Sequence, residues 1–399
     1  MGRGLDIGIA GCGVAGLAVG ALLARAGHRV VAFDQWESPS PLGSGVIIQP
    51  VGLVVLDAME AGDALRALGA PLRRLYGKSE PSGRVVLDVR YAALGADAPN
   101  GLGMHRAALF QVLFDAALNA GVRIENGVRI VDAHDGRFVF AHGRESTRFD
   151  LLLDCLGMRS PLCAKPAEPL AFGALWANVD AHMDFAEDAL EQRYERARKM
   201  AGVLPIGRVT ADGAQQAAFF WSLKGEAFDT WRAHGLEAWK DEALSLWPRL
   251  APVLGQITSA EQLIFARYAH RTLVSPLARH VVHVGDSWHC ASPQLGQGAN
   301  MALLDALALS RALESQSDLE IALKEYQRMR LWHIRLYQLA SYLFTPAYQS
   351  DSAALAWLRD RIMAPISRTW PAPQVLAALV AGQLGAPLGI MGRFGNALS

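Results

Sequence analysis

The sequence has no excess of charge. Its 38 Lys and Arg residues balance 38 Asp and Glu, and no basic block interrupts the chain. That excludes the electrostatic footprint of a nucleic-acid binder. Cysteine is scarce: Cys12, Cys155, Cys163 and Cys290 are scattered and form no CxxC pair. A disulfide framework or zinc knuckle is therefore not indicated, no metal is expected, and a reducing, cytoplasmic setting fits. The opening MGRGLDIGIAGCG is too broken by glycine for a signal peptide and reads as a strand and turn. Internal repeats and low-complexity tails are missing. Charge is also missing between Thr369 and Gly392. That length could span a bilayer, but the prolines of TWPAP, Pro387 and repeated glycines break it up. The stretch is expected to be a buried or surface-docked helix pair, with peripheral membrane contact through 369–392 as the alternative.

What is present is apolar bulk. Half of the 399 residues are hydrophobic, enough for a large core and for more than one compact unit. Residues 5–34 read strand, turn, helix, strand. Leu5–Ala10 is a short apolar run, Val14–Ala26 is Ala- and Leu-rich all round, and Gly27 is a plausible stop before the strand His28–Phe33. This is a βαβ unit, which implies a parallel sheet and a right-handed crossover. Between its first strand and helix lies Gly11-Cys12-Gly13-Val14-Ala15-Gly16. In GxGxxG the first glycine allows the tight turn, the second lets a pyrophosphate approach the backbone, and the third lets helix and strand sit close. The helix start adds unpaired N–H groups and partial positive charge. Asp34 ends the second strand at about the 20-residue offset of an acid that binds ribose hydroxyls. Dinucleotide binding follows; NAD and FAD stay open at this point.

Arg84–Tyr91 reads as a strand of a more exposed sheet, and His105–Ala120 has helical spacing. Phe138–Ala141 and Leu151–Cys155, apolar but for Asp154, are strand candidates. After Pro161, Phe172–Val179, Ala217–Leu223 and Leu263–Ala269 read as aromatic-rich strands, with the charged, helix-like EDALEQRYERARKM between them. Val281–Val284 returns to the buried style of the first unit, and the chain is helical from Ala299 on. The expected fold is α/β: a Rossmann-like nucleotide domain with a parallel sheet, a second domain with an antiparallel sheet, and a helical C-terminus. The expected boundaries are 1–75, 100–165 and 270–325 for the first domain, 76–99 and 166–269 for the second, and 326–399 for the helical region.

The stretch VGDSWHCASPQLGQGANMALLD, from Val284 to Asp305, carries two more polar devices. Gly285-Asp286 ends an apolar strand, where a carboxylate can reach a chain of hydroxyls. Gly296-Gln297-Gly298-Ala299-Asn300 offers backbone N–H groups at a helix start, which would stabilise negative charge on a ring held against it. A bare helix cap or turn is the alternative for Asp286.

Taken together, GCGVAG with Asp34, Arg106 at the head of HRAALFQVL, and the Val284–Asp305 stretch resemble the FAD-dependent aromatic-ring hydroxylases, single-component flavin monooxygenases of the para-hydroxybenzoate hydroxylase type. The three motifs occur in the family's order and spacing. The resemblance implies FAD as cofactor, NAD(P)H as a transient co-substrate, and hydroxylation of an aromatic or polyketide-like small molecule by O2 through a flavin C4a-hydroperoxide. It implies that Gly11, Gly13, Val14, Ala15, Gly16 and Asp34 hold the ADP half, and that Arg106 meets the pyrophosphate or ribityl region. Asp286 would bond the ribityl hydroxyls, Gly296, Gly298, Ala299 and Asn300 would face the pyrimidine edge, and Pro293 would lie beside the ring. In such chemistry the protein positions and shields the cofactor. A phenol or aniline substrate would gain from a base, for which His289 is the candidate; a structural bond to a backbone carbonyl is the competing role.

The family's Asp-Gly pair, followed by Ser and Arg, is altered in LLLDCLGMRSPLC. Gly157 and Ser160 align, while Leu156 stands at the Asp position and Cys163 at the Arg position. That segment is linked to nicotinamide use, so the change bears on the electron donor. Asp154 either substitutes in part or caps a turn. No second GxGxxG provides a separate nicotinamide domain. Trp176, Phe219, Phe220 and Trp221 alternate on candidate strands, so one face could line an apolar pocket. A halogenase or reductase of the same superfamily is one rival, though the Trp-x-Trp-x-Ile-Pro motif of such halogenases is absent. A non-catalytic FAD-binding protein is the other.

Overall fold

The computed structural model describes residues 4–37, 45–385 and 388. Asp6–Ala10 is apolar on both faces because it lies inside a five-stranded parallel sheet. Leu151–Asp154 and Arg29–Phe33 flank it, with Val282–His283 and Arg123–Glu125 at the edges. Since all five run the same way, Gly11, Asp34, Cys155 and Gly285 emerge at one rim, where a doubly wound sheet binds its ligands. The helix Val14–Arg25 buries every residue from Ala15 to Leu23. Its small side chains let it lie between the sheet and two other helices, Arg106–Asn119 and Gly298–Ser315.

A seven-stranded sheet forms the second layer. Its order is Ile264–Ala266, Phe172–Asp180, Gln216–Lys224, Lys199–Gly207, Ala189–Glu195, Arg74–Glu80, Arg84–Arg90. All pairs are antiparallel except Ala189–Glu195 with Arg74–Glu80. The helix expected over EDALEQRYERARKM is therefore wrong: that segment is a hairpin of two strands, turning at Arg196 with φ of 52°. Its charges have helical spacing, and Glu195 pairs with Lys199 across the turn, but the more deeply buried charges find partners on other elements. Arg193 pairs with Glu80 and stacks over Trp247, and Glu191 pairs with Arg249. Non-local neutralisation of this kind lets charged residues sit in a buried strand.

The sheet's two faces pack differently. Phe219 and Trp221 enter a core under the helices around Trp239, while Phe220 and Trp176 face the other way. The uncharged C-terminal stretch contributes one helix, Ala372–Val380, to that second face, rather than the expected helix pair, among the described residues. Residues 386–387 and 389–392 of the stretch lie outside them. No helix among the described residues is long and apolar enough to cross a membrane.

One buried ionic network ties these parts together. Asp305 accepts hydrogen bonds from the Gly285 N–H at 2.9 Å, His289 Nε2 at 2.6 Å and Arg330 Nε at 2.7 Å. Arg330 also donates to His333 Nδ1 at 3.0 Å, so His333 donates through Nε2 to the Gly382 carbonyl at 3.0 Å. Both ring nitrogens of His333 are thus committed to the neutral form. Burial, with Arg330 alongside, lowers its pKa to about 3.

That shift has a sign in stability. The folded protein refuses a proton that the unfolded chain takes up below about 6.5. The contribution of His333 is present above that pH and is lost as pH falls toward 3, at up to about 1.4 kcal/mol per unit. His105 and His270 are lowered in the same direction by burial. Urea midpoints should therefore fall between pH 7.5 and 5, with the slope reduced, not abolished, in His333→Gln. A flat profile over that range would contradict the assignment.

Candidate functional site

A cavity of about 1220 Å³ runs along the rim of the parallel sheet and on beneath the seven-stranded sheet. Gly11, Gly13, Val14, Ala15 and Asp34 line its first end. The carboxylate of Asp34 accepts the Cys12 N–H at 2.7 Å and the Trp36 N–H at 3.2 Å, which fixes the glycine turn against the second strand. The two later glycines of the turn do different work. A Cβ on Gly16 would lie 1.9 Å from the Gly11 carbonyl oxygen, so Gly16 is required by the helix–strand contact. A Cβ on Gly13 would meet no atom within 4 Å. Gly13 instead keeps the cavity floor flat where the first helix begins, and no side chain caps that helix start.

Midway, Arg106 opens its helix and is exposed in the cavity, and Asp286 faces the same space. The Asp286 carboxylate accepts no hydrogen bond from the described residues; its backbone carbonyl takes one from Arg271 at 3.0 Å. Protein crowds it on the side away from the cavity, and that desolvation raises its pKa, against the pull of His289, Arg106 and Arg271. An unpaired carboxylate held this way is poised for hydroxyl donors.

At the third position Pro293, Gly296, Gly298 and Ala299 line the cavity. Gly296 adopts φ of 60°, a left-handed turn that aims the start of the helix Gly298–Ser315 into the opening. Asn300 is not at the surface of the cavity. It is fully buried, with Oδ1 accepting the Gln49 N–H at 2.8 Å and Nδ2 donating to the Ile47 and Gly296 carbonyls. Its side chain is a clamp that holds the turn and leaves the expected role at the helix start to the backbone. His289 is also off the cavity, buried against Asp305, and the geometry gives it no route to a substrate proton.

Asp154 resolves in favour of the turn cap. It is fully buried and accepts the Leu156 N–H at 3.0 Å, the Ser160 hydroxyl at 2.7 Å and His283 Nδ1 at 2.8 Å. Leu156 itself lines the cavity. Cys163 sits beside this cluster and donates to the Ser287 carbonyl at 3.0 Å. The ligand-type atoms of Asp154, Cys163 and His283 lie within 4.8 Å of one another, a convergence that their spacing of up to 129 positions conceals.

Three features escaped the sequence. Tyr268 lies in the cavity, its hydroxyl accepting the Trp176 Nε1–H at 2.9 Å, and Trp176 packs on Phe220 at 4.7 Å between ring centres. Burial raises the Tyr268 pKa to about 12, so it stays a phenol able to donate. Gln49 and Gln297 each leave one buried amide atom unpaired near the Gly296 turn. The C-terminal helix supplies a wall through Leu376, Leu379 and Val380. The only sequence signal for that last feature is the missing charge after Thr369.

The residues present fit FAD. An open glycine floor at a helix start suits a pyrophosphate, the free Asp286 carboxylate suits ribityl hydroxyls, and a second helix start with unpaired amides suits a polar ring edge.

The family model described as "FAD binding domain" matches residues 4–218. Among curated relatives, the chain is 26% identical over 383 residues to the aurachin C monooxygenase/isomerase of Stigmatella aurantiaca, spanning 92% of this chain and 96% of that one. It is also 26% identical over 383 residues to a Rhodococcus erythropolis protein named "probable 2-heptyl-3-hydroxy-4(1H)-quinolone synthase", spanning 90% and 91%. Among solved structures, P. aeruginosa PqsL in complex with 2-aminobenzoylacetate superposes with a TM-score of 0.76 at 21% identity, covering 88% of this chain and 99% of that one. Klebsiella pneumoniae HpxO complexed with FAD and uric acid gives 0.75 at 18% identity, covering 95% and 98%.

Proposed function

The chain belongs to the FAD-dependent aromatic-ring hydroxylases and is an FAD-dependent monooxygenase; we propose that its substrate is a flat, uncharged heteroaromatic of the quinolone type. In balance, one atom of O2 enters a ring C–H bond to give the hydroxylated product. The other leaves as water, with two electrons from NAD(P)H. Bound flavin supplies the redox and oxygen chemistry; the chain supplies position, dryness and proton placement.

The observation that carries the substrate reading is the aromatic seat of Trp176, Phe220 and Tyr268 in the same cavity as Pro293. A planar ring finds a π surface there. Tyr268, already accepting from Trp176, has its own proton free to donate to a ring oxygen. The curated relatives support the class, since one is named for a quinolone product. Gly11, Gly13, Asp34, Arg106, Asp286 and the Gly296–Ala299 turn are assigned to the cofactor on the geometry above. Leu156 leaves the family's carboxylate out of the cavity wall.

The test is NAD(P)H oxidation by the flavin-loaded protein, with and without a 4-quinolone, and product analysis by mass. A substrate-stimulated rate with a gain of one oxygen is expected. Bromide-dependent product, or tight FAD with no turnover, would overturn it. Tyr268→Phe should weaken quinolone binding about tenfold, the worth of one hydrogen bond in a dry site, with flavin content unchanged.

A further inference from the structure

Beyond the aromatic seat the cavity does not end. Its volume of about 1220 Å³ takes in the cofactor groove at one end, and past the seat it continues between the seven-stranded sheet and the C-terminal helices. Leu190, Met200 and Leu204 line it from the strands, and Met363, Leu376 and Val380 from the helices. Along this stretch one charged side chain is present among the described residues, Asp88, and Arg74 holds it in a forked ion pair at 2.7 and 2.8 Å. The buried amides are two. Gln192 turns its nitrogen to the Met200 sulfur, and Gln349 leaves both amide atoms unpaired. They can hold a water or one polar atom, but not a charged headgroup.

From this geometry we infer that the substrate carries an apolar chain of several carbons, which lies in the passage between sheet and C-terminal helices while its ring sits at Trp176 and Tyr268. The inference rests on the aromatic-ring reading above and adds the tail. A compact ring alone would leave an aliphatic channel filled with water, at odds with its lining. A chain displaces that water and buries hydrocarbon on hydrocarbon. The strand-borne wall of Leu190, Met200 and Leu204 keeps one side of the passage formed in the unliganded protein, which limits the ordering that opposes the gain.

The experiment uses the flavin-loaded, full-length protein and a series of 4-quinolones bearing methyl, propyl, pentyl, heptyl and nonyl at one ring position. Binding is read from the change in flavin absorbance on titration, and hydroxylation of each probe is read separately by mass. Each methylene buried should tighten binding roughly twofold to fourfold. The heptyl compound should then bind at least about fiftyfold more tightly than the methyl one. Leu376→Trp, which fills the passage from a partly exposed helix position, should narrow that ratio to below about tenfold. Equal affinity across the series would overturn the tail; if the probes are still hydroxylated, the aromatic-ring reading survives it. Failure of every probe to bind overturns both.

Discussion

Gly13→Val should yield a folded, colourless protein. Purified in the presence of excess FAD, it should retain no flavin after desalting, and its thermal midpoint should match that of the unaltered protein stripped of cofactor. The reason lies in the empty space at that position. A Cβ added there meets no atom within 4 Å, so the fold leaves room where the side chain departs. It projects over the start of the first helix, where the pyrophosphate must come within hydrogen-bond distance of backbone N–H groups. A displacement of even one methyl radius breaks several charge-assisted hydrogen bonds together. At about 1.5–3 kcal/mol each, the loss in affinity is at least a hundredfold. Gly16→Val is the contrasting case, because its Cβ would collide with the Gly11 carbonyl. That variant should fail in the soluble fraction. Yellow Gly13→Val protein with normal flavin occupancy would remove the glycine turn from the cofactor site.

Arg330→Met should cost about 3–5 kcal/mol of stability, the penalty for stranding a buried carboxylate. Arg330 and Asp305 are both fully buried. Burial alone would push the Asp305 carboxyl up, but His289 and Arg330 overcome it and hold it below the usual carboxylate range. Without Arg330, the Gly285 N–H and His289 Nε2 are the hydrogen-bonding partners left to that carboxylate. The loss should reach the flavin as well, since Asp305 receives the Gly285 N–H next to Asp286. Flavin release on mild heating should therefore come at lower temperature in the variant. Denaturant midpoints of Arg330→Met, Asp305→Asn and the double variant form a cycle. The double variant should be less damaged than the sum of the two single changes. Additive losses would mean that the pair is not coupled, and the network would lose its place as the tie between the late helix and the C-terminal region.

Local sequence was enough for the nucleotide half of this protein. A βαβ unit is written in about thirty consecutive residues: apolar runs, one glycine turn and one acid at a fixed offset. Its chemistry depends on backbone approach, so the glycines themselves are the signal. The late GxGxx turn with Asp286 was legible for the same reason. Tertiary structure decided the rest. EDALEQRYERARKM has helical charge spacing, yet it pairs as strands because Glu80, Arg249 and Trp247 reach it from distant elements. His289 and Asn300 sit within a few residues of the active turn, yet both face inward, because Asp305 and the Ile47–Gln49 backbone offer them buried partners. The aromatic seat joins Trp176 and Phe220 from two strands and Tyr268 from a link between strands, and the C-terminal helix closes the apolar passage from more than 150 positions beyond the strands that line it. Cofactor binding here is a property of short contiguous backbone and could be read in order along the chain. Substrate choice is a property of surfaces assembled from separated strands and helices, and no local pattern encodes which of their faces will meet.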